Sequence, residues 1–184
     1  EMDVRNMFNP KKNAGLECSE IQAFVAYDSN VHPVGRIAGI INHRANEKWK
    51  TQNVRFGFFD FVNDLDVSSA LLEAVIQWGK ERNMTRIQGP MGITDFDKEG
   101  MLIEDFDRLG SMNTYYNYAY YPQHMEALGY EKEVDWVQVR IQIPSEIPTK
   151  YARVARLSKE MFDLKVKKIT DKDIKCSVSV AYGA

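Results

Sequence analysis

Three short stretches hold the residue types from which chemistry is made. The first is the run Arg55-Phe-Gly-Phe-Phe-Asp-Phe-Val62, where one carboxylate, Asp60, interrupts a row of aromatic residues. Strand alternation puts Asp60 on one face with Phe58 and Val62, and an apolar setting of that kind raises a carboxylate's pKa. The second is Asn63-Asp-Leu-Asp-Val-Ser-Ser69, with two aspartates and two hydroxyls. The third is the tyrosine cluster Tyr115-Tyr116-Asn-Tyr118-Ala-Tyr120-Tyr121-Pro122, with His124 just behind it. Between them the long stretch Met91 to Met112 carries Asp95, Asp97, Glu99, Glu104, Asp105 and Asp107. That stretch either recruits a cationic ligand, such as an amine or a lysine side chain, or stands as a solvated loop.

The other reactive groups exclude more than they offer. His32 and His43 have no carboxylate or cysteine at ligand spacing, so no metal site is expected. Cys18 and Cys176 form no CxxC pair, which predicts two reduced thiols in a cytosolic protein rather than a zinc or disulfide framework. Lys and Arg total 24 against 26 Asp and Glu, a net charge of -2, without the basic excess of nucleic-acid binders. No apolar run reaches membrane-spanning length and no signal peptide is visible. The 184 residues suffice for one globular domain with room for an appendage.

The elements that must position these groups follow from periodicity. Val54 to Met91 reads as one β-α-β unit: strand Arg55–Val62, loop Asn63–Ser69, helix Ala70–Asn83, strand Thr85–Gln88, then Gly89-Pro90. The loop then lies at a strand's carboxyl end and a helix's amino end, where α/β folds hold phosphate-bearing ligands. Ser68 or Ser69 is the expected cap, and Ala70, Leu71, Ala74, Val75 and Trp78 form the expected core face. Ahead of this unit, Ile21–Tyr27 and Val34–Ile41 flank a polar turn and predict a β-hairpin. Gly35 and Gly39 within it predict a bulge or a close backbone approach. Glu1–Gly15 reads as a loop after one helical turn, and Asn42–Asn53 as a loop. Later come a short helix over Pro122–Leu128 stopped by Gly129, and an alternating strand over Tyr130–Ile143. A boundary is expected at Pro144–Pro148, giving a domain over 1–144 and a second unit over 145–184. That second unit holds a helix over Thr149–Phe162 and short strands over Leu164–Ile169 and Cys176–Ala184. The fold class is α/β (α+β): a mixed, twisted sheet flanked by helices.

This order of elements, with Val34-Gly35-Arg36-Ile37 closing the hairpin and Leu128-Gly129-Tyr130 before the last long strand, resembles the GNAT superfamily of acyl-CoA N-acyltransferases. Gly89-Pro90-Met-Gly92, Gly100-Met-Leu102 and Tyr120-Tyr121-Pro122 look more narrowly like a poorly characterised bacterial GNAT-like family. The likeness covers roughly Glu20 to Ile143. It implies a GNAT-like fold whose first strand and helix would precede Glu20, and the narrower family's members are longer. With Glu rather than Met at residue 1, a partial chain is expected.

The resemblance implies transfer of an acyl group, most simply acetyl, from acetyl-CoA or another acyl-CoA to an amine in a ternary complex, without a metal. It places Phe61 and Val62 on the pantetheine arm and Asn63 through Ser69 at the pyrophosphate, with Ser68 and Ser69 as donors. It makes Asp60 the general base. The general-acid slot before Gly129 holds Met125, so Tyr121, Tyr120 or His124 would substitute. Asp64 and Asp66 depart from the family's loop, since carboxylates repel pyrophosphate. The implied acceptor is a small amine or a lysine-bearing molecule, with no nucleic acid and no membrane, and a homodimer is left open. The alternative is a non-catalytic GNAT-fold module that binds a ligand or partner. A V-shaped gap between the strands at Phe61 and Gln88, open to solvent and lined by free amides, favours the enzyme, and one filled by Trp78, Phe96 or a tyrosine favours the module. Aminoacyl transfer from tRNA would want a basic groove, which the charge balance does not supply.

Overall fold

The computed structural model describes residues 2–111 and 114–165. The chain divides into two compact units, Glu1–Trp136 and Val137–Ala184. The first contains α1 (Met2–Met7), a 3-10 turn (Ala14–Glu17), β1 (Ser19–Tyr27), β2 (Pro33–Asn42), α2 (His43–Trp49), β3 (Asn53–Phe61), α3 (Leu65–Lys80), β4 (Arg86–Gln88) and α4 (Tyr120–Ala127). The second contains α5 (Thr149–Phe162), the helix expected there. The sheet runs β1-β2-β3-β4. Its first two pairings are antiparallel and its third is parallel. The fold is thus mixed α+β, a four-stranded mixed sheet flanked by helices.

The hairpin forms because Asp28 organises its turn, accepting from the amides of Asn30 at 2.9 Å and His32 at 2.8 Å. Gly35 and Gly39 mark a close approach, as expected. A Cβ on them would come within 2.8 Å of Leu71 Cδ1 and of Trp78 Cε3, so their bareness lets α3 settle on β2. The buried side of α3 is Ser68, Leu71, Leu72, Val75, Trp78 and Gly79. It meets Ile37, Ile41, Val54, Phe56, Phe61 and Tyr121 in one apolar cluster. Each large side chain sealed there contributes about 1.5–3 kcal/mol.

Several expectations need correction. Residues 43–49 are helical, not a loop: Asn42 caps them by accepting from the Ala45 amide, and Lys50 closes them in the left-handed conformation. Helix α3 starts earlier than expected, at Leu65, because Asp64 caps it by accepting from the Asp66 amide. Ser68 and Ser69 therefore lie inside the helix and are not its cap, and Ala70 is exposed. Residues 130–143 carry no strand despite their alternation, and Val137, Val139, Ile141 and Ile143 are exposed. A strand needs a ladder partner, and none pairs with them among the described residues. The short strands expected over 164–169 and 176–184 lie, past Lys165, outside the described residues. Among the described residues no helix is long and apolar enough to cross a membrane.

One irregularity in β3 sets up the site. Gly57 faces Ala38 and Asp60 faces Arg36, so Phe58 and Phe59 together oppose Ile37. This is a β-bulge, and Phe58 sits in it at φ 52°. A bulky residue in that region is a genuine outlier, costing on the order of 1–3 kcal/mol. The bulge also moves the buried side chains from even positions (Val54, Phe56) to an odd one (Phe61). Asp60 and Val62 consequently face outward.

Candidate functional site

Along its second half β3 keeps β2 but, among the described residues, has no strand neighbour on the β4 side. The parallel pairing with β4 covers only Asn53 to Arg55. The Met91 amide then donates to the Phe56 carbonyl at 2.8 Å, and beyond that point the chain leaves. Helix α4 fills the place a longer β4 would take. Tyr120 donates its hydroxyl to the Phe61 carbonyl at 2.6 Å, and the Phe61 amide donates to the Tyr121 hydroxyl at 3.2 Å. Both backbone groups of Phe61 on that side are thus bonded to tyrosines, which meets the requirement that buried backbone polar groups be paired.

Tyr121 also donates to Asp60 Oδ1 at 2.5 Å. Burial first, and then that bond to Asp60, push its phenol well above the ordinary tyrosine value. The hydroxyl therefore keeps its proton across the neutral range and orients the carboxylate. Asp60 Oδ2 lies 3.6 Å from Arg36 Nη2, and both side chains are 59% exposed. Asp60 does not stand in the apolar setting expected of it, because the bulge turns it away from the core toward Arg36. Burial, and secondarily Asp60, also raise the Tyr120 phenol.

Asp60, Arg36 and Tyr121 border a cleft of about 120 Å³, walled by Phe58, Phe59 and Tyr115 among others. Phe8 packs on Phe58 with ring centroids 5.1 Å apart, holding the strained residue in place. The far wall comes from the acidic stretch, which is anchored. Arg55 donates to the carbonyls of Gly92 and Ile93 at 3.2 and 3.1 Å, and Asn42 to that of Ile93 at 2.9 Å. Asn117 grips Leu102 through both its amide and its carbonyl. Asp97 is committed to the Thr94 amide at 2.8 Å. Burial, helped by Asp95, raises the Glu99 carboxyl above its ordinary value, while Arg55 opposes the rise.

The remaining candidates fall elsewhere. His124 is buried on the other side of α4, with Nδ1 2.8 Å from Ser68 Oγ and Nε2 2.9 Å from Asn63 Oδ1. Ser68 Oγ also lies 2.9 Å from the Leu65 carbonyl, so its hydroxyl bridges that carbonyl and the His124 ring. His124 does not line the cleft. Ser68 is wholly enclosed, while Val62 and Asn63 are exposed. Ser69, half-buried, sits within α3. The Asp64 side chain accepts from the Asp66 amide, and Met125 packs against the core. Among the described residues no cluster of three metal-ligating side chains occurs. Sequence reasoning missed Arg36 as a site residue. Its signal was a lone cation inside the apolar run Val34–Ile41, which points to Asp60 only through the cross-strand register.

No protein-family model and no solved structure matches the chain. Among curated proteins it is similar to Protein YghO of Escherichia coli (strain K12), 32% identical over 138 residues, 73% of this chain and 35% of that protein. It is also similar to the bacterial ceramide synthase of Caulobacter vibrioides, 24% identical over 148 residues, 80% of this chain and 38% of that protein. The chain spans little more than a third of the length of these relatives.

Proposed function

We propose that this chain is the acyl-transfer part of a GNAT-like N-acyltransferase, moving an acyl group from acyl-CoA to an amine by direct attack. The observation that carries the reading is Asp60, turned outward by a strained bulge, oriented by Tyr121 and bordering a cleft where β3 and β4 part. The name of the second relative denotes joining an acyl group to an amine, which is the same class of bond. In this reading the amine nitrogen attacks the thioester carbon, a C–N bond forms and the C–S bond breaks. The nitrogen's proton passes to Asp60, CoA leaves as its thiolate and takes a proton from water, and Asp60 returns its own proton to solvent. A thiolate is a fair leaving group near its pKa of about 8.5, so little acid assistance is required. Tyr121, with its raised pKa, serves as a positioning residue rather than as the acid.

A second reading, a non-catalytic binding module, is favoured by a specific observation: the tyrosines occupy the backbone groups of Phe61 that pantetheine would need. Asp64 and Asp66 at the start of α3 favour it too, since carboxylates there oppose a pyrophosphate. Calorimetric titration of acetyl-CoA into the full-length protein separates the two. Micromolar binding is expected, with Asp60→Asn leaving binding intact and lowering turnover about 100-fold, at the low end of general-base contributions. No binding up to millimolar acetyl-CoA would overturn acyl transfer and leave the module.

A further inference from the structure

We propose that the cleft takes a zwitterion: a small molecule with a primary ammonium and a carboxylate one carbon apart, as in an α-amino acid. The inference deepens the acyl-transfer reading and rests on it for the fate of the amine. Arg36 and Asp60 are the two charged side chains among the described residues that line the cleft. They face one another across β2 and β3, yet at 3.6 Å they are not within hydrogen-bonding distance. Asp60 accepts one hydrogen bond, from Tyr121. Arg36 has no other ion pair or hydrogen bond to a described residue. A guanidinium carries five donors in a fixed fork, so its capacity for a carboxylate is unspent.

A ligand lying antiparallel beside this pair would set its carboxylate on Arg36 and its ammonium on Asp60 Oδ2, each charge meeting its opposite. A plain amine would satisfy Asp60 but stand beside the Arg36 cation. A plain acid would satisfy Arg36 but stand beside Asp60. The volume of about 120 Å³ equals roughly four waters at about 30 Å³ each, enough for a small amino acid. The aromatic walls suit its Cα and an apolar side chain, and ring faces welcome an ammonium.

The test is titration of the full-length protein, by calorimetry and amide chemical shifts, with glycine, L-alanine and L-serine and with their carboxamides. Each acid is expected to bind at least tenfold more tightly than its carboxamide. Arg36→Gln, at an exposed position, should abolish that preference, whereas Asp60→Asn should weaken acid and carboxamide alike. Equal binding of the two forms, retention of the preference in Arg36→Gln, or no binding of any acid would overturn the proposal. Acetyl-CoA titrated into the same samples separates the failures. CoA binding without the preference removes the zwitterion alone, and the preference without CoA binding removes acyl transfer alone.

Discussion

Removing one hydroxyl tests the geometry at Phe61 most directly. In Tyr121→Phe the Phe61 amide, buried beside the ring, loses its partner at 3.2 Å. An orphaned buried donor costs about 1–3 kcal/mol. The lost bond to Asp60 adds less, because that carboxylate is 59% exposed and water can replace the donor. A loss of about 2 kcal/mol, or about 4–8 °C in Tm for a chain of this size, is expected. The pH dependence supplies an independent check. The phenol's folded-state pKa is raised above its ordinary value of 10.0. Its contribution is therefore fully present below about pH 10 and is lost as pH rises from there toward the folded value, by up to about 1.4 kcal/mol per pH unit. Urea unfolding between pH 7 and 11 would show the native protein losing stability more steeply above pH 10 than Tyr121→Phe, by one proton. A neutral-pH change under about 0.5 kcal/mol, within the range of an ordinary surface substitution, or parallel alkaline slopes, would refute the reasoning.

Four further substitutions probe the frame around the site. Gly57→Ala drives a Cβ into the Met91 carbonyl oxygen; unfolding by urea should show a loss of at least about 1–3 kcal/mol, the usual scale of overpacking. Ser68→Ala leaves His124 Nδ1 without its hydrogen-bond partner at 2.8 Å and should cost about 1–3 kcal/mol, whereas Ser69→Ala should stay within about 0.5 kcal/mol; equal losses would contradict the placement of the two hydroxyls. Asp64→Ala removes the cap of α3 and should lower stability by about 1 kcal/mol in thermal unfolding.

The sequence made the regular parts legible and hid the local exceptions. The hairpin, the crossover helix α3 and the short α4 were written in periodicity and in stops such as Gly129, which has φ 79°. The start of α3 was misread because Ser68 and Ser69 look like caps, while the capping Asp64 stands among other polar residues. Helix α2 has no buried face, so no apolar stripe announces it. His124 and Asp60 were both visible as candidates. Their surroundings were not, because burial against Ser68 and pairing with Arg36 are contacts across 56 and 24 residues of chain. Arg36 itself becomes informative only when the cross-strand register is known.

The bulge in β3 acts on the chain as a shift of reading frame acts on a message. Upstream of Gly57 one set of alternating residues is read as interior, and downstream the other set is. The same letters, Asp60 and Phe61, would take opposite meanings if the chain kept its length and alternated without the bulge: the carboxylate would turn toward α3 and the phenylalanine away from it. Loss of either Phe58 or Phe59 would erase the bulge yet leave Asp60 against Arg36 and Phe61 against Gly35, because those facings are counted from β2. The extra letter therefore changes which parity of the sequence is read as interior, and leaves the partner of each later residue as it was.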